Sequence, residues 1–171
     1  MPQKPEIIAR SLADARRELD GITGEKALVS IGSPESRRPD GFEPSNPLHL
    51  RLQFDDVTSE TPSLRSEPVS PPRPHHIEQL IDLADKLLSA PLVYCHCAAG
   101  ISRSTAAAFI LHCIARPAGQ EDEAMRAVLE DNPFASPNRL MVKLADEQLE
   151  RSGRMIEAIE DVRRRLDSPF D

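Results

Sequence analysis

Apolar residues along this chain alternate between short runs and helical stripes. Ala27 to Ile31 is a short apolar run closed by Gly32, Ser33 and Pro34, the pattern of a buried strand. From Leu48 to Phe54 the residues alternate, with Leu48, Leu50, Leu52 and Phe54 on one side and His49, Arg51 and Gln53 on the other; a second strand is predicted there. Pro91 to Tyr94 supplies a third. Helical spacing predicts a helix over Ser11 to Leu19, where Leu12, Ala15 and Leu19 share a face, and another over His75 to Ser89. Ser104 to Ala115 reads as a buried helix. Glu121 to Glu130, Pro137 to Leu149 and Arg154 to Leu166 follow, with Ser136 as a cap before Pro137 in the first turn, and Gly153 separating the last two.

Strands interleaved with helices, then helices alone, predict one α/β domain over residues 1–171. Its sheet is small, central and mostly parallel, flanked by helices, with a helical C-terminal half. Pro34 to Pro47 reads as loop, and residues 55–74 form a long proline-rich loop within the domain.

Composition narrows the setting. No apolar run is long enough to span a bilayer, and Met1 to Arg10 carries no secretory signal pattern. Three cysteines at no scaffold-like spacing argue against a disulfide framework. A soluble cytoplasmic protein is expected. The net charge of −7 argues against a nucleic-acid or membrane-surface partner, both of which call for a basic face. The arginines of Arg10 to Asp20 and Glu157 to Asp167 are interleaved with acids, as on solvated helix faces. Any phosphate recognition must therefore be local.

One stretch provides it. Val93-Tyr94-Cys95-His96-Cys97-Ala98-Ala99-Gly100-Ile101-Ser102-Arg103-Ser104-Thr105 runs from a strand into a helix, at the carboxyl edge where α/β folds hold ligands. Loop amides and a helix N-terminus form a site for an anion. Ala98, Ala99 and Gly100 let the backbone approach closely, and Gly100 tolerates positive φ. Ile101 and Ser102 complete the loop, and Arg103 offers a planar fork for two phosphate oxygens. The same field favours the thiolate of Cys97, whose free counterpart titrates near ~8.5. Ser104 is placed to donate to the sulfur, and His96 to orient the loop.

His96-Cys97-x-x-Gly100-x-Ser102-Arg103-Ser104 resembles the signature loop of the cysteine-dependent protein tyrosine phosphatases, especially the dual-specificity branch, and is similar to small bacterial predicted tyrosine phosphatases. The resemblance implies a phosphatase-like fold and phosphomonoester hydrolysis through a phosphocysteine. Catalytic roles fall to Cys97 and Arg103; Ala98 to Arg103 bind the phosphate, supported by His96 and Ser104. It also implies an acid on the loop after the alternating strand. Asp56 is chosen because it lies past Phe54 and begins the loop proper; Asp55 is the alternative, with Glu60 and Glu67 open.

No cofactor or metal is required. His75 and His76 lack carboxylates at ligand spacing and read as surface residues; His49 and His112 read as structural. Cys95 and Cys113 are buried small hydrophobes, or redox partners for Cys97. Asn138 and Arg139 are placed to line the pocket. Tyr94, the chain's one tyrosine, lies in a strand, so the aromatic wall of a phosphotyrosine slot is not supplied by it. Expected substrates are phosphotyrosine or dual-specificity protein targets, with small phosphomonoesters open. The oligomeric state is undetermined. Two other classes fit the cysteine loop: a rhodanese-like sulfurtransferase and a non-enzymatic phosphoprotein-binding module.

Overall fold

The computed structural model describes residues 3–59 and 68–168. Its first element is one that the hydrophobic pattern does not announce. Ile7-Ile8-Ala9 is too short a run to show a period, yet it is the centre of strand β1 (Glu6–Ser11). The strand is held by its neighbour: Glu6 pairs with Leu92 and Ser11 with Cys97 in parallel register along β4 (Leu92–Cys97). Pairing and burial of Ile7, Ile8 and Ala9 outweigh weak local propensity. β4 is also longer than expected. It continues past Tyr94 to Cys97, because Cys95 and Cys97 lie buried on the same side of the sheet.

The other two strands follow the pattern. β2 (Lys26–Gly32) pairs with β4 on one side and with β3 (His49–Gln53) on the other, all parallel, giving the order β1-β4-β2-β3. β4 and β2 are the inner strands and are buried on both faces, as parallel sheets require. β3 is the edge. Its Leu52, followed by Phe54 just past its end, turns into the core, while Arg51 reaches Ser30 and Ser36 on the opposite face.

Helices cover the two faces unequally. α1 (Leu12–Glu18) lies on one face, where Ala15 and Leu19 pack with Ile8, Leu28 and Tyr94. The Tyr94 hydroxyl donates to Glu18 at 2.9 Å. α1 begins at a capping box in which Ser11 and Asp14 satisfy each other's backbone amides. The larger face carries α2 (Pro74–Leu87), α3 (Arg103–Ile114), α4 (Glu121–Asp131), α5 (Arg139–Gln148) and α6 (Arg154–Asp167). α3 is buried from Arg103 to Cys113 and forms the hub of that layer. Between α4, α5 and α6, Arg151 donates to buried Glu121 at 2.8 Å and to the Cys113 and Arg116 carbonyls. Asp146 accepts from the Gly153 and Met155 amides at the start of α6.

Two expectations change in detail. Ser136 and Pro137 stand outside α5; its cap is Asn138, whose side chain accepts from the Met141 amide. Pro137 disfavours helical geometry in Ser136 before it, and the Ser136 amide bonds Ile101 instead. His76 is no mere surface residue: its Nδ1 accepts from the Arg73 amide and its ring packs at a tilt against Phe54, centroids 4.8 Å apart. His49 is structural, accepting from the Glu43 amide. No helix among the described residues is long and apolar enough to cross a membrane.

Two buried histidines make the fold acid-sensitive. Burial, aided by Arg116 and then Lys4, pushes His112 down to about 4; burial, with Arg51, does the same to His96. Between pH 6.5 and 4 the unfolded chain therefore takes up protons that the folded chain refuses, so stability falls as pH falls. Each such proton costs about 1.4 kcal/mol per pH unit. Urea unfolding at pH 7.5, 6 and 5 should show the decline, and His112→Gln should flatten it. An unchanged slope in that variant would remove His112 from the account.

Candidate active site

Cys97 ends β4 and Arg103 begins α3, so the residues between them turn through one tight loop. The loop's carbonyls are tied outward. Ala98 O accepts from the Leu12 amide at 3.2 Å. Gly100 O accepts from Asn132 Nδ2 at 2.8 Å. Ile101 O accepts from the Ser136 amide at 2.9 Å, and Ser102 O from Ala106 and Asn138. A peptide plane whose C=O points out turns its N–H in. Among the described residues, the amides of Ala98, Ala99, Ile101 and Ser102 have no acceptor, and the first-turn amides of α3 are likewise free of a side-chain cap.

Gly100 is the pivot. Its φ is +72°, and a Cβ there would lie 2.4 Å from the Ser11 amide nitrogen and 2.5 Å from the Arg10 carbonyl carbon. Both the backbone conformation and the junction of β1 with α1 exclude a side chain. Its own N–H donates to Cys97 Sγ at 3.3 Å, and Ser104 Oγ stands 3.2 Å from the same sulfur. The sulfur thus sits inside the loop, 2 % exposed.

Arg103 is 5 % exposed. Its Nη1 donates to the Phe54 carbonyl at 2.7 Å, and its buried Nε has no partner among the described residues. A buried guanidinium N–H left unpaired is costly, which marks Arg103 Nε as a free donor beside the loop.

His96 is positioned from below. Ser30 Oγ contacts its Nε2 at 2.7 Å, and Arg51 Nη1 donates to Ser30 Oγ at 2.7 Å. His96 itself is held down to about 4 by burial, with Arg51 and Arg103 adding to it, so it is a neutral prop at physiological pH. Ser30 and Arg51 were not anticipated at the site. The available signal was a serine within the apolar run of β2.

The two aspartates separate cleanly. Asp55 closes the base of its own loop: its amide donates to Ser70 O at 2.7 Å, and its carboxylate accepts from the Ser70 amide at 2.8 Å. Asp56 turns to the phosphate-loop candidate, its Oδ1 accepting from Ser102 Oγ at 2.7 Å and from Asn138 Nδ2 at 2.8 Å. Asn138, fully buried, also donates to Val57 O at 3.1 Å. Of the two pocket-lining candidates, Asn138 therefore reaches the site. Arg139 does not; it points outward to Glu160 at 3.1 Å on α6, one helical residue being enough to change face. Glu60 and Glu67 lie outside the described residues. Asn132 was not foreseen, although Asn132-Pro133 is a turn signal.

Cys95 and Cys113 are free and buried. Burial raises both thiols, Cys113 up to about 12, which keeps them protonated. They pack as small apolar groups. Among the described residues no group of three or more His, Cys, Asp or Glu side chains is arranged to hold a metal.

No protein-family model and no curated protein matches the chain. Solved structures do. Human DUSP28 superposes with a TM-score of 0.58 at 17% identity, covering 90% of this chain and 96% of that one. The human tyrosine phosphatase-like serine/threonine/tyrosine-interacting protein gives 0.59 at 16% identity, covering 84% and 91%. DUSP15 gives 0.56 at 21% identity, covering 98% and 94%. The chain shares its fold with these dual-specificity phosphatase and phosphatase-like structures.

The pivot can be tested directly. Gly100→Ala should weaken vanadate binding at least tenfold and lower stability by about 1–3 kcal/mol, read by isothermal titration and urea unfolding. Undiminished vanadate affinity would mean that the loop does not depend on this close approach.

Proposed function

We propose that the chain hydrolyses phosphomonoesters through a phosphocysteine intermediate, acting on phosphotyrosine or as a dual-specificity protein phosphatase. The observation that carries this reading is convergence: the Gly100 amide and the Ser104 hydroxyl lie at the Cys97 sulfur while the buried Nε of Arg103 is unpartnered. Inward amides, a helix N-terminus and a guanidinium are what an equatorial phosphate oxygen needs as its charge is redistributed.

The sulfur of Cys97 attacks phosphorus in line with the leaving oxygen. The P–O bond breaks, and the leaving oxygen takes a proton from Asp56, which the Ser102 and Asn138 donors hold at the loop's rim. Water then attacks the phosphocysteine, Asp56 takes its proton, the S–P bond breaks and phosphate departs. Arg103 and the loop amides hold the phosphoryl oxygens throughout. No metal or redox step enters the balance. A free Cys97 thiol fits a reducing cytoplasmic setting. The support for a protein phosphatase over a sulfurtransferase is the fold and the Ser-Arg-Ser ending of the loop together; the neighbours' activities remain theirs.

Cys97→Ser should abolish turnover of p-nitrophenyl phosphate while keeping micromolar-to-millimolar vanadate binding; turnover in that variant would reject the nucleophile. Absence of turnover by the unaltered chain, with oxyanion binding intact, would favour the binding-module alternative. Asp56→Ala should slow alkyl-like esters with poor leaving groups by roughly 10²–10⁴-fold, and p-nitrophenyl phosphate much less. Should Asp55→Ala show that leaving-group dependence instead, the acid is Asp55.

A further inference from the structure

Beside the loop stands an aromatic side chain that the mechanism leaves unused. Phe134 is 81 % exposed, on the connection between α4 and α5. That connection is fastened to the candidate loop on both sides of it: Asn132 bonds Gly100 O at 2.8 Å and the Ser136 amide bonds Ile101 O at 2.9 Å. Asn132 Oδ1 also accepts from the Phe134 amide at 3.1 Å. The ring is thus presented at a fixed place rather than carried on a free loop. Ile101, 42 % exposed, is the other large hydrophobic residue at the surface among the described residues, and it is a member of the loop itself.

Phe134 forms a ridge between two depressions. On one side a groove of about 370 Å³ has Met125, Ile159 and Val162 in its walls; on the other a cleft runs past Ala99, Gly100 and Ile101 to Arg10, Asp14 and Asp131. The groove is mainly apolar, with Arg163 in its wall donating to Ser136 Oγ at 3.2 Å, and is of a size for one or two side chains. Groove and cleft have Pro133 and Phe134 in common as lining residues, and the cleft runs along Ala99, Gly100 and Ile101 of the loop. Single exposed apolar residues are ordinary on protein surfaces, but here two of them meet at one cleft: Ile101 and Phe134 both line it, and Phe134 also lines the groove beside it.

The electrostatics select among occupants. The cleft holds two carboxylates against one guanidinium, and Arg10 is already bonded to Asp131 at 2.8 Å. Ala98 and Ala99 put no cation at the loop's rim. A second phosphate or an anionic lipid surface entering the cleft therefore meets negative charge, and the groove's Arg163 is turned to Ser136; an apolar polypeptide residue carries no charge for the cleft to repel.

We propose that Phe134 and the groove between α4 and α6 form a specificity subsite for a bulky apolar residue adjacent to the phosphorylated residue of a singly phosphorylated protein segment. The inference rests on the phosphatase reading above and names its substrate class. The ester sits in the loop, and the neighbouring apolar side chain crosses Phe134 and Ile101 into the groove.

The test uses the full chain with Cys97→Ser, so that substrate binds without turning over. Two phosphotyrosine peptide libraries, differing only in leucine or serine at the positions flanking the phosphotyrosine, are compared by fluorescence anisotropy. The leucine set should bind about tenfold tighter, as burial of an apolar side chain in a hydrophobic pocket discriminates by at least that much. Adding Phe134→Ser should cut the preference to under about twofold, and Phe134→Leu should restore most of it. Equal affinity for the two sets, or a preference that survives Phe134→Ser, would overturn the subsite while leaving the phosphatase reading intact. Tighter binding of a bisphosphorylated inositol headgroup than of either set would overturn it in favour of lipid chemistry. No binding of any phosphopeptide, with no ester turnover by the unaltered chain, would remove the phosphatase reading and the subsite with it.

Discussion

A loop of backbone cannot turn its amides toward one point unless something accounts for its carbonyls. Here the ties come from two other parts of the chain: Leu12 at the start of α1 holds Ala98, and the α4–α5 connection supplies the rest, with Asn132 holding Gly100, Ser136 holding Ile101 and Asn138 holding Ser102. An amide or carbonyl left buried and unpaired costs about 1–3 kcal/mol, so these four ties decide which way each peptide plane faces. Without them nothing would hold those planes with their carbonyls outward. The concave array of donors is therefore a property of the whole α/β frame, expressed in five residues.

The same frame explains why the site accumulates unmet donors. Parallel pairing of β1 with β4 brings Ser11 opposite Cys97, which forces Gly100 against the β1–α1 junction and leaves room only for a hydrogen. α3, buried along nearly its whole length, cannot present its N-terminus to bulk solvent. Its first amides and Arg103 must look for partners within the loop. Arg103 finds one in the Phe54 carbonyl and keeps Nε in reserve. That bond also couples the loop to the end of β3, from which the Asp55–Asp56 segment departs. Asn138 makes the coupling reciprocal by bonding Ser102 through its backbone and Asp56 through its side chain.

Much of this was legible in the residues. The strand–loop–helix context of Cys97, the small residues at positions 98–100 and the arginine at the helix start are local features, and local chemistry is what sequence displays. β2, β3 and the stripes of α2 to α6 were likewise readable, because each buries a face whose period is written in its own side chains. Asp56 was preferred to Asp55 as the start of the loop proper past Phe54; the fold turns Asp56 to Ser102 and Asp55 to Ser70. β1 was not readable: three apolar residues carry no period, and the strand exists because β4 offers it hydrogen-bond partners. Ser30, Arg51 and Asn132 escaped for a related reason: Ser30 and Arg51 lie 66 and 45 positions from His96, and Asn132 lies 32 from Gly100.

By itself, then, the chain's order of residues determined which groups are candidates for the chemistry and the kind of element each sits on, because those depend on neighbours within a turn or two. Tertiary structure alone decided which way the loop's amides face, which aspartate meets Ser102, and that an aromatic ring from the α4–α5 connection stands beside Ile101. Those outcomes depend on distances between segments far apart in sequence. Such distances are set by how parallel strands register and how a buried helix packs, and no single segment contains that information.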